Sequence, residues 1–150
     1  MKKIKIDIDY AADYVVIGLV SYDSDYQLVH HINRALNTHF SKFDDFIFNE
    51  CNGLKPSYAW FFCYNEELKI NIYLLANKHP QICLLSAYNK IDYFIIMENN
   101  IDKQQLNTIL KNIRKIKSIS GVFSLDVGKI KNIDLLIEKN EIHQLNCVKS

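Results

Sequence analysis

Residues 57–76 read SYAWFFCYNEELKINIYLLA, and the pairing of the two halves of this stretch decides what kind of protein the chain makes. Two strand-like runs flank Asn65-Glu66-Glu67, which reads as a three-residue hairpin loop. Pairing Tyr64 with Leu68 sets a register in which Phe62 faces Ile70, Trp60 faces Ile72 and Tyr58 faces Leu74. Every large group on that face then meets an apolar partner, as a core-facing hairpin requires. The other face places Ser57, Ala59, Phe61 and Cys63 against Leu75, Tyr73, Asn71 and Lys69. It is more apolar than a solvated face should be. Ala59, Phe61, Tyr73 and Leu75 therefore form a candidate interaction surface, or a second small core if the C-terminal segment folds over them.

Downstream of the hairpin, ICLLSAY (82–88) reads as a short strand and DYFIIME (92–98) as a longer one. Asn100 or Asp102 can cap a helix whose apolar stripe is Leu106, Ile109, Leu110, Ile113 and Ile116. SISGVFSLD (118–126) returns as a strand. A short helix near 130–137 follows, and the tail from about residue 140 is expected to fray.

Upstream, residues 3–9 alternate Lys3, Lys5, Asp7 and Asp9 with Ile4, Ile6 and Ile8, the period of a half-buried strand. Residues 14–21 (YVVIGLVS) read as another strand. Asp23 or Ser24 caps a helix running to about His39, with Tyr26, Val29, Ile32, Leu36 and Phe40 as its stripe. Phe43 to Phe48 reads as a short strand, and Asn52, Gly53 and Pro56 as a turn. The order β-β-α-β-β-β-β-β-α-β contains two strand–helix–strand units around a hairpin. It predicts an α+β fold, a ferredoxin-like or related sandwich with a mostly antiparallel sheet and two main helices on one face.

All 150 residues are expected to form one domain, because only two prolines and four glycines are present and no linker divides the chain. MKKIKIDIDY has no apolar run behind its lysines, and no segment approaches the roughly 18 apolar residues of a membrane span. A cytoplasmic protein without membrane contact is expected, with Cys51, Cys63, Cys83 and Cys147 as reduced apolar fillers. Net charge is +1, distributed as 9 Lys/Arg against 12 Asp/Glu in residues 1–100 and 9 against 5 in residues 101–150. Neither half has the strongly basic balance of a dedicated nucleic-acid binder.

The segment Leu85 to Phe94, LSAYNKIDYF, resembles the signature of the IPExxxVDY family, small bacterial proteins of unassigned function. KIKIDID at the start, DYQLVHHINRAL on the first helix, YLLANK at 73–78 and the second helix with ISGVFSLD agree in order. Leu85 stands for the Ile, Ser86 for the Pro, Ala87 for the Glu and Ile91 for the Val, while Asp92 and Tyr93 are identical. Ala87 can neither accept a proton nor bind a metal, so the resemblance speaks against an enzyme built on that glutamate.

No phosphate-cradling glycine loop, zinc signature or nucleophile elbow occurs, so no catalytic, cofactor or metal residues are assigned. Asp92 would cap a turn or bind a cation, and Tyr93 would pack its ring with the hydroxyl at an edge. His30, His31 and His39 read as structural or surface histidines. Lys111, Arg114, Lys115 and Lys117 gather at the second helix as candidate phosphate contacts. The leading expectation is a non-catalytic interaction module, working through a sheet face or strand edge on a protein partner or a second copy. An RNA- or ribosome-associated protein using the basic helix is the first alternative, and an ACT-like small-ligand regulatory domain the second.

Overall fold

The computed structural model of the chain describes residues 13–48, 53–78 and 82–148. The expected strand at 3–9, together with Cys51, Asn52, His79 and Pro80, lies outside them. Strand β1 (Tyr14–Ser21) is apolar almost throughout and nearly all of it is buried. Helix α1 (Asp25–Leu36) starts at Ser24, whose side chain caps Gln27 while Gln27 caps Ser24 in return. It ends at Asn37, in the left-handed conformation, short of the expected His39. Leu28, Val29 and Ile32 are its buried face, whereas Tyr26 is exposed and Phe40 is buried from beyond the helix.

Two-residue strands β2 (Ser41–Lys42), β3 (Phe46–Ile47) and β4 (Ser57–Tyr58) precede the hairpin of β5 (Trp60–Asn65) and β6 (Ile70–Ala76). After β7 (Tyr93–Glu98), helix α2 (Lys103–Arg114) opens with a second capping box, Asp102 with Gln105. Strand β8 (Ile119–Leu125) and helix α3 (Ile133–Cys147) complete the chain. Among the described residues one six-stranded sheet has the order β2-β5-β6-β7-β1-β8, with antiparallel neighbours throughout, and β3 pairs with β4 separately. The α+β class and the mostly antiparallel sheet are as the sequence predicts. No described helix is long and apolar enough to cross a membrane.

The hairpin register differs from the expected one. Phe62 pairs with Tyr73, Trp60 with Leu75 and Tyr64 with Asn71. The loop is longer than read: the Asn65 side chain accepts from the Leu68 amide (2.9 Å), and Lys69 turns the chain at φ 57. An odd shift exchanges the two faces of one strand relative to the other. Trp60, Phe62, Tyr73 and Leu75 therefore share one face, while Phe61, Cys63, Ile72 and Leu74 share the opposite one. Tyr58 lies outside the hairpin, paired with Phe46.

The sheet is consequently buried on both faces. α1 and α2 cover the core of Ile17, Leu19, Phe61, Ile72, Leu74 and Ile95. The other core, around Trp60, Tyr73, Leu75 and Phe94, is closed by Leu136 and Ile137 of α3 with Phe46 and Phe48. The helix expected near 130–137 starts at Ile133 but runs on to Cys147, so the described residues from 140 onward are helical rather than frayed. α3 runs to Cys147 because its inner face is held by polar contacts that apolar periodicity does not register. Trp60 Nε1 donates to Asn140 Oδ1 (2.7 Å), Tyr14 to Glu141 Oε2 (2.5 Å) and Tyr73 to Gln144 Oε1 (2.5 Å). ICLLSAY is no strand either. Ser86–Tyr88 make a 3-10 turn, because the Asn77 side chain meets the backbone needs that a neighbouring strand would otherwise meet.

Candidate interaction surface

Of the residues singled out from the sequence, Asp92 and Tyr93 sit at the end of the sheet where β1 stops and β7 and β8 begin. Opposite Val20/Ser21 the strand β8 carries one extra residue, Ser120, as a bulge, and the Asp92 carboxylate accepts from the Ser21 amide (2.9 Å) at that point. One residue on, the Tyr93 hydroxyl donates to the Asp23 carbonyl (2.8 Å). Asn77, fully buried, donates to the carbonyls of Tyr88 and Ile91 and accepts from the Leu85 amide, tying down the whole signature loop. Asp92 and Tyr93 thus fasten the β1–α1 connection, while Ser86 and Ala87 are exposed on the 3-10 turn.

That fastening presents Asp23. Its carboxylate is 7% exposed and takes both His31 Nδ1 (3.0 Å) and the Ser118 hydroxyl on the same oxygen. A Ser-His-Asp relay needs the acid on one imidazole nitrogen and the hydroxyl on the other. Here Ser118 approaches Nδ1 as well (3.3 Å) and gives its own proton to Asp23, so the three groups make a structural knot between α1 and the β8 entry. The knot floors an open groove of about 1090 Å³, with Arg34, Lys115 and Lys117 around it. Lys111 and Arg114 are exposed too, but Lys111 lines a separate shallow depression on the outer side of α2. Arg34 escaped the sequence reading because only the packing of α1 beside α2 brings it near the lysines.

A smaller recess of about 360 Å³ opens between α1 and α2 above Ile72, Ile95 and Met97, with Glu67 and Asp102 on its lining. Among the described residues, no group of three or more His, Cys, Asp or Glu is arranged to hold a metal ion. Cys147 lies 3.5 Å from His143 Nε2, but partial burial and the neighbouring Asp44 carboxylate push its thiol up, away from the thiolate a nucleophile needs.

The surface proposed from the hairpin is corrected. Phe61, Tyr73 and Leu75 are buried and Ala59 half-buried, and the new register sends Phe61 to the opposite face from Tyr73 and Leu75. Phe61 lies beneath Tyr26, edge to face at 6.2 Å, with the Lys42 ammonium 5.6 Å from its ring centre. Tyr73 and Leu75 belong to the second core under α3, the other of the two outcomes considered for them.

The accessible surface is instead at the edges. The β2 edge is two residues long and carries Lys42, which is paired with Asp45 at 2.7 Å. Among the described residues the opposite margin is β8, seven residues long, ISGVFSL, with no charge and no proline but with a bulge at Ser120. Phe123 is 49% exposed there. The charge-free run is visible in the sequence, but its place at the sheet margin is not. No family model matches the chain, and no curated protein matches it either.

Proposed function

We propose that this chain is a non-catalytic protein-interaction module that engages its partner by strand addition at β8. The carrying observation is the contrast between the two margins of the sheet. Among the described residues one is short and charged, while the other is long, uncharged and carries a half-exposed phenylalanine. An edge of that kind offers a row of backbone donors and acceptors to an incoming strand, and alternate side chains give selectivity. Within this reading the chain is a divergent IPExxxVDY-type protein of the bacterial cytoplasm. Support comes from Asp92 and Tyr93 serving one structural purpose together, and from Cys63, Cys83 and Cys147 as free thiols. A ferredoxin-like frame is supported by the strand order β6-β7-β1-β8 with α1 after β1 and α2 after β7.

The test is affinity recovery of the tagged chain from its native cell, beside a Ser120→Lys/Ser124→Lys variant whose two exposed edge positions carry charge. A stoichiometric, nuclease-resistant protein partner that the variant loses is the expected result. Equal recovery by the variant would end the reading.

A second reading, an RNA- or ribosome-associated protein, is favoured by one observation: Arg34, Lys115 and Lys117 line the same groove. It requires salt-sensitive RNA binding that weakens in Lys115→Glu/Lys117→Glu, and unchanged binding by that variant would exclude it.

A further inference from the structure

We infer that the groove beside Asp23 holds single-stranded RNA, with one base stacked on Tyr22 and the flanking phosphates on Arg34, Lys115 and Lys117. This rests on the reading as an RNA-associated protein and names the form of RNA and the platform that selects it. The basic segment has no aromatic residue of its own between Lys103 and Val122, so its sequence offers phosphate contacts without a stacking surface. The fold supplies that surface from the other end of the chain. Tyr22 lines the same groove and is 85% exposed, a large ring that belongs to neither core.

The ring is exposed, but the backbone that carries it is held. The Ser21 amide before it donates to the Asp92 carboxylate (2.9 Å), and the Asp23 amide after it donates to Ser21 Oγ (3.1 Å). The Asp23 carbonyl accepts from the Tyr93 hydroxyl (2.8 Å). A platform fixed in this way has little backbone freedom left to lose when a base settles on it. The charges complement it. Among the described residues, Arg34, Lys115 and Lys117 have no ion-pair partner, whereas Lys42 is paired with Asp45. Asp23 is the one carboxylate on the described lining of the groove, and it is turned onto His31 and Ser118. The C-terminal end of α2 also borders the groove, and its dipole opposes an anion with about half a negative charge. The amides of Lys115 and Ile116 fold back onto the carbonyls of Asn112 and Ile113 there, and three full positive charges outweigh what remains. A duplex keeps its bases stacked on one another and offers Tyr22 no face, so only a single strand uses the ring and the cations together.

Fluorescence anisotropy of labelled RNA with the full chain tests this. An oligouridylate of about ten nucleotides should bind more tightly than a duplex of equal length. Three phosphate contacts give a slope of about −2 for log affinity against log salt. Tyr22→Ala should weaken single-strand binding about tenfold and leave that slope unchanged, while Tyr22→Trp should keep the affinity. Circular dichroism checks that the variants are folded, as the exposure of the ring leads one to expect. A duplex bound as tightly as the single strand, or a Tyr22→Ala chain that binds like wild type, overturns the inference. The RNA-associated reading survives either result if Lys115→Glu/Lys117→Glu still loses RNA. Equal affinity for uridine monophosphate makes this a mononucleotide site and overturns the single strand likewise. A wild-type chain that binds none of the three overturns the inference and the RNA-associated reading together.

Discussion

The hydroxyl of Tyr93 donates to the backbone carbonyl of Asp23 across 70 residues of chain, at 2.8 Å. The bond joins the first residue of β7 to the turn that launches α1. With Asp92 holding the Ser21 amide one residue earlier, it sets the position from which Asp23 reaches His31 and Ser118.

Tyr93→Phe should therefore leave the Asp23 carbonyl without its donor and destabilise the fold by about 1–2 kcal/mol. Urea denaturation followed by circular dichroism measures this. Asp92→Ala removes the acceptor of a part-buried amide in the same turn, and because the two bonds serve one connection the double variant should lose less than the sum. Strict additivity would mean that they act independently.

Asn77→Ala is expected to be the most damaging single polar substitution in the signature loop. It removes two donors and one acceptor from a fully buried site and strands the carbonyls of Tyr88 and Ile91 and the amide of Leu85. A loss of about 3 kcal/mol or more follows from that many unsatisfied groups. Faster amide exchange confined to residues 82–93 would locate the damage, whereas a loss below about 1 kcal/mol would show that water replaces the side chain.

Trp60 is the only tryptophan, and its indole is fully buried against α3 with Nε1 on Asn140 Oδ1. Removal of residues 133–150 should shift its fluorescence to longer wavelength and promote association through the uncovered Tyr73 and Leu75. Asn140 also carries a cost, since its Nδ2 is buried without a partner among the described residues. Asn140→Ala should thus be milder than the loss of the Trp60 bond alone implies, about 1 kcal/mol by thermal or urea unfolding. An unchanged emission spectrum on removal of α3 would place the indole's burial with Phe62 and Phe43 instead.

Alkali should unfold the protein in a defined window. Burial, helped by the nearby Asp25, Asp92 and Asp23 carboxylates, pushes the Tyr93 hydroxyl up to about 12, and burial does the same for Tyr58, also to about 12. Each is raised above its ordinary value of 10.0, so the folded protein holds these protons more tightly than the unfolded chain. Their contribution is complete below about pH 10 and is lost as pH rises toward about 12. Tyrosinate absorbance and circular dichroism should change together in that range, and tyrosinate forming near pH 10 with the fold intact would contradict it.

The sequence by itself determined where most of the main elements lie. Capping residues Ser24 and Asp102 start α1 and α2, and the uninterrupted apolar runs of β1 and β7 mark strands buried on both faces. These signals are local, since a cap bonds three residues away and a strand's character is written in its own residues. Only the tertiary structure decided the rest. The hairpin register turned on one asparagine side chain and one left-handed residue, Asn65 and Lys69, and that small change exchanged the partners of Trp60 and hid the expected surface. α3 was underestimated because Asn140, Glu141 and Gln144 dock by hydrogen bonds to Trp60, Tyr14 and Tyr73, far away in the chain. The β8 edge is likewise a property of strand order. Contacts between residues distant along the chain leave no periodic trace, so the chain's own pattern names its strands but not their order in the sheet.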